Sequence, residues 1–397
     1  MKVQASLKSA SSMLILFFIL ISCAQKQSEE SKIISIDLDQ LPADQIEISK
    51  LIKDIRVIPL ETTPESMLGS LAQLEHDNSN IFYHSNQDQT IYRFSAEGKF
   101  LNKFCHLGKG PGEYSKIRNM QIVPGTETLM VSDVRQRKMI QYDFMGNLIR
   151  EFMLPSSTGM FRFLENGIIA LHLSKMHSFV NDSICNDLVF LDMEGNIISR
   201  QFFHNTPLQF AFGDPFTRPN EDGTYYYTRQ FDYNLYSLKD TSLPEIAYEI
   251  DYGKYKGKID ELEGSGIEAF SAFQKKGKVS RIDGLVNSTE FLAIMNLRQR
   301  KASMLLFDKK SQKILTMGTD SLNNIGYLSG FPIRIPRDSY RDNFISILDA
   351  IDLITSINSM SADQKKSLRR QVEGFDRIED ISENDNPVLV YYKFKDF

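Results

Sequence analysis

Three stretches of the 397-residue chain decide its fold: Ile91-Tyr92-Arg93-Phe94-Ser95-Ala96-Glu97-Gly98-Lys99-Phe100-Leu101, Ile140-Gln141-Tyr142-Asp143-Phe144-Met145-Gly146-Asn147-Leu148-Ile149, and Leu188-Val189-Phe190-Leu191-Asp192-Met193-Glu194-Gly195-Asn196-Ile197-Ile198. Each is an apolar run, a glycine turn and a second apolar run. The turn glycines fall at 98, 146 and 195, so the unit repeats every 48 or 49 residues. Upstream of each lies another short β-forming run: Ile81-Phe82-Tyr83, Leu129-Met130-Val131 and Ile168-Ile169-Ala170. Two degenerate copies follow, Tyr225-Tyr226-Tyr227 with Leu235–Asp240, and Phe291-Leu292-Ala293-Ile294 with Ser303–Lys310. Short β-branched and aromatic runs between Gly, Asn and Asp turns read as strands. Four strands in a unit of about 45 residues is the pattern of a propeller blade. The gaps are too short for the crossover helices of a parallel α/β sheet; a β-sandwich is the other all-β arrangement to weigh.

The ends supply the missing blade. Asp54-Ile55-Arg56-Val57-Ile58-Pro59-Leu60 and Asn386–Phe394 both read as strands. Paired with each other they close a ring of six blades and remove an exposed sheet edge. Residues 32–397 are thus expected to form one all-β domain, a six-bladed β-propeller. One helical insertion is expected at about 349–374. There Ala350, Ile351, Leu353, Ile354 and Ile357 follow a helical period, Ser361-x-x-Gln364 reads as a capping box, and Gly374 as a stop.

Three further stretches carry a family likeness: Pro59-Leu60-Glu61-Thr62-Thr63, Gly108-Lys109-Gly110-Pro111-Gly112-Glu113-Tyr114, and Glu383-Asn384-Asp385-Asn386-Pro387-Val388-Leu389. With the repeat they make residues 52–397 resemble the six-bladed β-propeller lipoproteins of Bacteroidota, relatives of NHL- and TolB-type propellers. The resemblance implies the fold and a cell-envelope location, and no settled chemistry.

The N-terminus reads as an address. Lys2 and Lys8 precede the apolar run Met13–Ile21, nine residues where a membrane span needs about 20. Ser22-Cys23 then resembles a lipobox, so residues 1–22 are expected to be removed and Cys23 lipidated, leaving 23–31 as a flexible tether. Acyl chains would hold the protein on the membrane. By likeness to lipoprotein sorting signals, Ala24 favours the outer membrane. Of the cysteines beyond Cys23, Cys105 and Cys185, 80 residues apart, are expected to be two separate buried thiols.

Composition excludes several classes. Lys and Arg total 46 against 51 Asp and Glu, a formal charge of −5 that becomes −7 once Lys2 and Lys8 are lost. With no basic tail, a nucleic-acid partner is not expected. No nucleophile-elbow motif and no zinc-binding histidine pair occurs, so no catalytic residue, metal ligand or cofactor is assigned.

The long connections, 174–186, 203–219, 251–279 and the insertion after Asp349, all belong to one class, turns B–C or crossings from one blade to the next. Turns A–B and C–D are short. Extra chain loaded on one face marks the binding face. On that face lie basic B–C turns: Arg135-Gln136-Arg137-Lys138, Arg229-Gln230 and Arg298-Gln299-Arg300-Lys301. Guanidinium groups there could hold an anionic group of a glycan or partner protein, so Arg135, Arg137, Lys138, Arg229, Arg298, Arg300 and Lys301 are the candidate ligand contacts. The loop with Gly108, Gly110, Pro111, Gly112, Glu113 and Tyr114 reads as a tight crossing that ties two blades, rather than an anion cradle. The acidic run Glu379, Asp380, Glu383 and Asp385 lacks calcium-loop spacing and reads as turn chemistry. These features favour a membrane-anchored, non-enzymatic binding or scaffold protein; a calcium-dependent hydrolase or lyase built on the same propeller is the alternative. Inner strands such as Met120–Val123 and Phe161–Leu164 offer few acids to such an enzyme.

Overall fold

In the computed structural model the described residues are 32–39, 47–154, 159–173, 186–203, 214–241, 243–262, 268, 271–272, 275–279, 283–298, 301–320 and 323–397. The expected signal segment 1–22, Cys23, the tether 23–31, nearly all of the 174–186 connection, and Cys185 and Arg300 lie outside them.

Six four-stranded sheets form the blades. Blade 1 runs through Leu71–His76, Asn80–Ser85, Ile91–Ser95 and Phe100–Phe104, and blade 2 through Ile117–Ile122, Thr128–Asp133, Lys138–Asp143 and Leu148–Met153. Blade 3 holds Phe161–Phe163, Ile169–His172, Asn186–Leu191 and Ile197–Phe203. Blade 5 holds Asp283–Asn287, Phe291–Arg298, Lys301–Asp308 and Ile314–Gly318. Within each, strands A to D pair in chain order, antiparallel.

Blades 4 and 6 depart from the simple repeat. In blade 4, Tyr225–Arg229, Asp232–Leu238 and Glu245–Asp251 are strands B to D. Strand A is the short segment at Phe216, which bridges Tyr227 antiparallel and is held by the Thr217 N–H on the Tyr226 carbonyl and the Thr228 N–H on the Pro215 carbonyl. The expected crossing 203–219 therefore ends earlier, because its last residues are an inner strand. A fifth strand, β1 (Lys32–Ser35), adds parallel to the outside of this blade, which the sequence pattern did not signal. Blade 6 joins both ends of the chain. Strands Asp338–Tyr340, Asn343–Leu348 and Val388–Phe394 are completed by β2 (Ile52–Pro59), with Ile55 opposite Tyr392 and Val57 opposite Val390.

The core is six apolar layers, each shared by two neighbouring blades. Phe82 and Ile91 of blade 1 pack with Met120, Leu129 and Ile140 of blade 2. Val189 and Phe161 of blade 3 pack with Met130 and Met139 of blade 2. The series continues through Tyr227 and Phe190, Tyr248 and Phe307, Met304 and Phe344, and back to blade 1 through Tyr83 and Leu389. Strands with both faces buried, such as Asn80–Ser85 and Asn186–Leu191, read as continuous apolar runs for this reason.

Packing between blades also explains the glycine period. A Cβ on Gly98 would lie 2.3 Å from the Pro59 carbonyl oxygen, one on Gly146 2.5 Å from Phe104, and one on Gly195 2.4 Å from Phe152. Each C–D turn slides under the outer strand of the preceding blade, at a positive φ that glycine adopts without cost.

The insertion contains helices α1 (Ala350–Ser359) and α2 (Ala362–Gln371), the second opened by the expected capping box of Ser361 and Gln364. Leu353, Ile357, Leu368, Val372 and Phe375 are buried in the layer between blades 5 and 6. Beside them sits a hairpin, Asn324–Leu328 with Phe331–Arg334, in the crossing from blade 5 to blade 6. It is a further excursion of the same class as the long connections.

Candidate functional site

The strand phase puts crossings and B–C turns at the end of the propeller where every inner strand begins. A cavity of about 1160 Å³ opens there along the axis. Its wall comes from Leu68–Leu74 of blade 1, Lys116, Ile117 and Arg118 of blade 2, and Met160 and Arg162 of blade 3. The insertion adds Asp349, Ala350 and Ile351 from its first turn and Glu383 and Asp385 from its return.

Farther along the inner strands the axis is charged. Arg218 grips Asp338 with both ends of its fork, Nε to Oδ1 at 2.8 Å and Nη2 to Oδ2 at 2.6 Å. Its Nη1 donates to Glu75 Oε1 at 2.7 Å. Burial opposes ionisation of Asp338, but the Arg218 charge and its two hydrogen bonds outweigh it and hold the carboxyl below its ordinary range. Glu75 is deeper, with a side chain 5% exposed, and has one bond to the cation; burial wins and pushes it up. The Gln121 amide donates to Glu75 Oε1 at 2.7 Å, and Gln73 donates to the same oxygen at 3.1 Å. His76 stands 3.9 Å from Asp338 and against the Tyr340 ring, and burial lowers it to about 4. A second pair, Arg162 with Asp214 at 2.5 Å, lies over the Phe216 ring.

The inner strands Met120–Val123 and Phe161–Leu164 carry no acid, and the two axial acids, Glu75 and Asp338, come from blades 1 and 6, whose A strands the repeat did not display. Both are held by Arg218. Among the described residues no group of three or more His, Cys, Asp or Glu is placed to hold a metal ion.

The basic turns occupy the same end of the molecule and are chemically unlike one another. Arg135 is exposed. Arg137 is half-buried at φ 54°. Lys138 is buried, donating to the Gly110 carbonyl and Glu151 Oε2, both at 3.0 Å. Arg229 pairs with Asp187 at 2.8 Å and Asp232 at 3.4 Å, and caps the Phe203 carbonyl. Arg298 ends strand B of blade 5 and Lys301 begins strand C. Lys138 and Arg229 thus already carry internal partners, whereas Arg135 projects into solvent.

The three signature stretches are structural seams. Asn386 is buried between the first and last of them, donating to the Glu61 and Ser66 carbonyls at 2.8 Å and accepting from the Leu68 N–H at 3.0 Å. That knot lies where the chain ends meet. In the glycine loop, Glu113 accepts from the Gly110 N–H at 2.8 Å, Tyr114 donates to the Gln89 carbonyl at 2.8 Å, and Tyr142 donates to the Gly112 carbonyl at 2.6 Å. Blades 1 and 2 are tied through it. Tyr225, Tyr226 and Tyr227 are buried between blades. Cys105 is exposed, not buried, because it follows the outer strand of blade 1 at the start of the crossing.

A family profile described as a domain of unknown function, DUF4934, matches residues 32–393. The chain belongs to the DUF4934 family. No curated protein sequence matches it. Among solved structures, this DUF4934 protein is similar to a Bacteroides fragilis protein described as exported, at 18% identity and a TM-score of 0.73 over 92% of this chain and 100% of the other. It also resembles a DUF4221 family member from Bacteroides vulgatus, at 11% identity and a TM-score of 0.53 over 88% and 99% of the two chains. At these identities the likeness concerns the fold.

Proposed function

We propose that this DUF4934 protein is a lipid-tethered binding protein of the cell envelope that captures a glycan, a peptide or a partner's exposed segment at the axial mouth of its propeller. One observation carries the reading: a cavity of about 1160 Å³ opens at the end of the propeller where the inner strands begin, lined in part by both ends of the insertion. Pockets of 300–1,000 Å³ hold drug-sized molecules, so this one takes a ligand of roughly that size or somewhat larger. Its polar floor is ion-paired before any ligand arrives, which favours recognition without rearrangement. Lipid on Cys23, with 23–31 as tether, would hold the mouth near the membrane surface.

The test uses protein lacking residues 1–23 on glycan and peptide arrays, alongside an Ala72→Trp variant. Ala72 is exposed and lines the cavity, so the indole fills the mouth without entering the core. Binding by the wild type that the variant loses is the expected result; equal binding by both overturns the cavity reading. For the anchor, Cys23→Ser should abolish palmitate labelling and shift the protein from the membrane to the soluble fraction. Unaltered labelling refutes the lipid assignment.

A further inference from the structure

The cavity's charges are unevenly satisfied. Arg162, Arg218 and Arg334 are cations of the lining, and each has a carboxylate partner: Asp214 at 2.5 Å, Asp338 at 2.6 Å and Asp352 at 2.5 Å. Lys116 and Arg118 differ. They sit two residues apart, Lys116 just before the inner strand of blade 2 and Arg118 at a break in the register of its first residues, and both line the cavity. Neither ammonium nor guanidinium has a partner among the described residues. Lys116 is exposed, while Arg118 is half-buried with its Nε wholly covered and unbonded. A covered guanidinium nitrogen without an acceptor is costly and calls for an explanation. The lining acids without a cation, Asp349, Glu383 and Asp385, all stand on blade 6's insertion. Arg337, on the blade 6 side of the lining, is also without a carboxylate partner among the described residues, but it is exposed, where solvent screens its charge.

We infer that Lys116 and Arg118 form an oxyanion subsite, and that the ligand of this cavity presents a carboxylate, sulfate or phosphate to the blade 2 wall. This rests on the cavity reading above and adds the ligand's charge and orientation to it. Arg118 supplies a planar fork, which matches two oxygens of such a group, and Lys116 supplies a mobile point charge at the mouth. The half-covered Arg118 is less screened than a surface arginine, so its attraction is stronger. On the insertion side, Glu383 and Asp349 would accept from hydroxyl or amino groups of the same molecule. The ligand is therefore oriented, with its acidic end toward blade 2.

Calorimetric titration with galacturonate, sulfate and inorganic phosphate at low salt, with galactose as the neutral control, tests this. The inference expects at least one of the anions to bind the wild type, to bind about 10-fold or more weakly to Arg118→Met, and to weaken further in Lys116→Met/Arg118→Met. Neither side chain holds a partner in place, so both variants should melt with the wild type. Lys116→Met alone, at an exposed position, gives a smaller loss if the double variant proves unstable. Absence of anion binding to the wild type, or anion binding that both Met variants keep, overturns the subsite. The two readings fail separately. Array ligands that Ala72→Trp blocks and Arg118→Met leaves untouched would preserve the cavity and remove the oxyanion subsite. Anions that bind regardless of Ala72→Trp would remove the cavity reading.

Discussion

The layers between blades and the axis they surround are built from the same strands by opposite chemistry. Between blades, Phe190, Leu292, Phe344 and Tyr392 are buried among apolar neighbours, and the energy is area removed from water. At the axis, half-buried Arg218 and Asp338 are ion-paired beside the buried carboxyl of Glu75, and what the three contribute is mutual satisfaction rather than net stability. The first region makes the ring; the second shapes and charges what the ring encloses. Substitutions in the two regions should therefore fail in different ways.

The largest effect is expected in the closing layer. Phe344→Ala removes a fully buried ring beside Tyr392 and Phe394, and chemical denaturation should show a loss of about 3–5 kcal/mol. At the axis the distinction is sharper. Arg218→Met strands two carboxylates and should cost about 3–5 kcal/mol, whereas Glu75→Gln/Arg218→Met/Asp338→Asn should recover most of it. A triple variant as unstable as the single one would show that packing, not charge, is what Arg218 provides.

Acid should reach the axis before it reaches the layers. Burial holds His76 down at about 4, below its ordinary 6.5. As pH falls below 6.5 the unfolded chain takes up this proton and the native state does not. Stability is therefore lost between pH 6.5 and about 4, by roughly 3 kcal/mol for a shift of this size. His84, lowered to about 4 by burial in blade 1, acts in the same direction. Urea midpoints measured across that range should fall, and His76→Gln should flatten the slope. A slope that His76→Gln leaves unchanged would assign the acid limb to other groups. The smallest of these effects belongs to the repeat itself. Gly195→Ala meets Phe152 at a positive φ and should cost about 1–2 kcal/mol.

What the sequence revealed follows the same division. Inter-blade packing imposes a period on the chain, so Gly98, Gly146 and Gly195 and the apolar runs beside them announced the blades, and the strands Ile52–Pro59 and Val388–Phe394 announced the closure. The axis imposes almost none. Gln73 and Asn119, and Glu75 and Gln121, are repeat partners 46 residues apart, a faint signal that polar side chains face inward. Beyond blade 2 the pattern dissolves, because Arg162, Arg218 and Asp338 each answer a partner on another blade rather than a turn of their own. Short strands hid two of them: the inner strand of blade 4 is a single bridge at Phe216, and that of blade 6 has only Asp338–Tyr340. β1 was hidden for a related reason, since a fifth outer strand lies outside the repeat. The basic turns were legible as a motif, but not the partners that Asp187, Asp232 and Glu151 supply to Arg229 and Lys138.

Hydrogen–deuterium exchange, run on protein lacking residues 1–23 with and without a ligand drawn from the arrays, asks most directly whether the enclosed axis is the place of recognition. Added protection at Leu68–Leu74, Lys116–Arg118 and Asp349–Ile351, with the blade layers unchanged, is the result expected. Protection confined to the outer turns at Arg135–Lys138 and Arg229–Phe231, leaving those axial segments as they were, would contradict it.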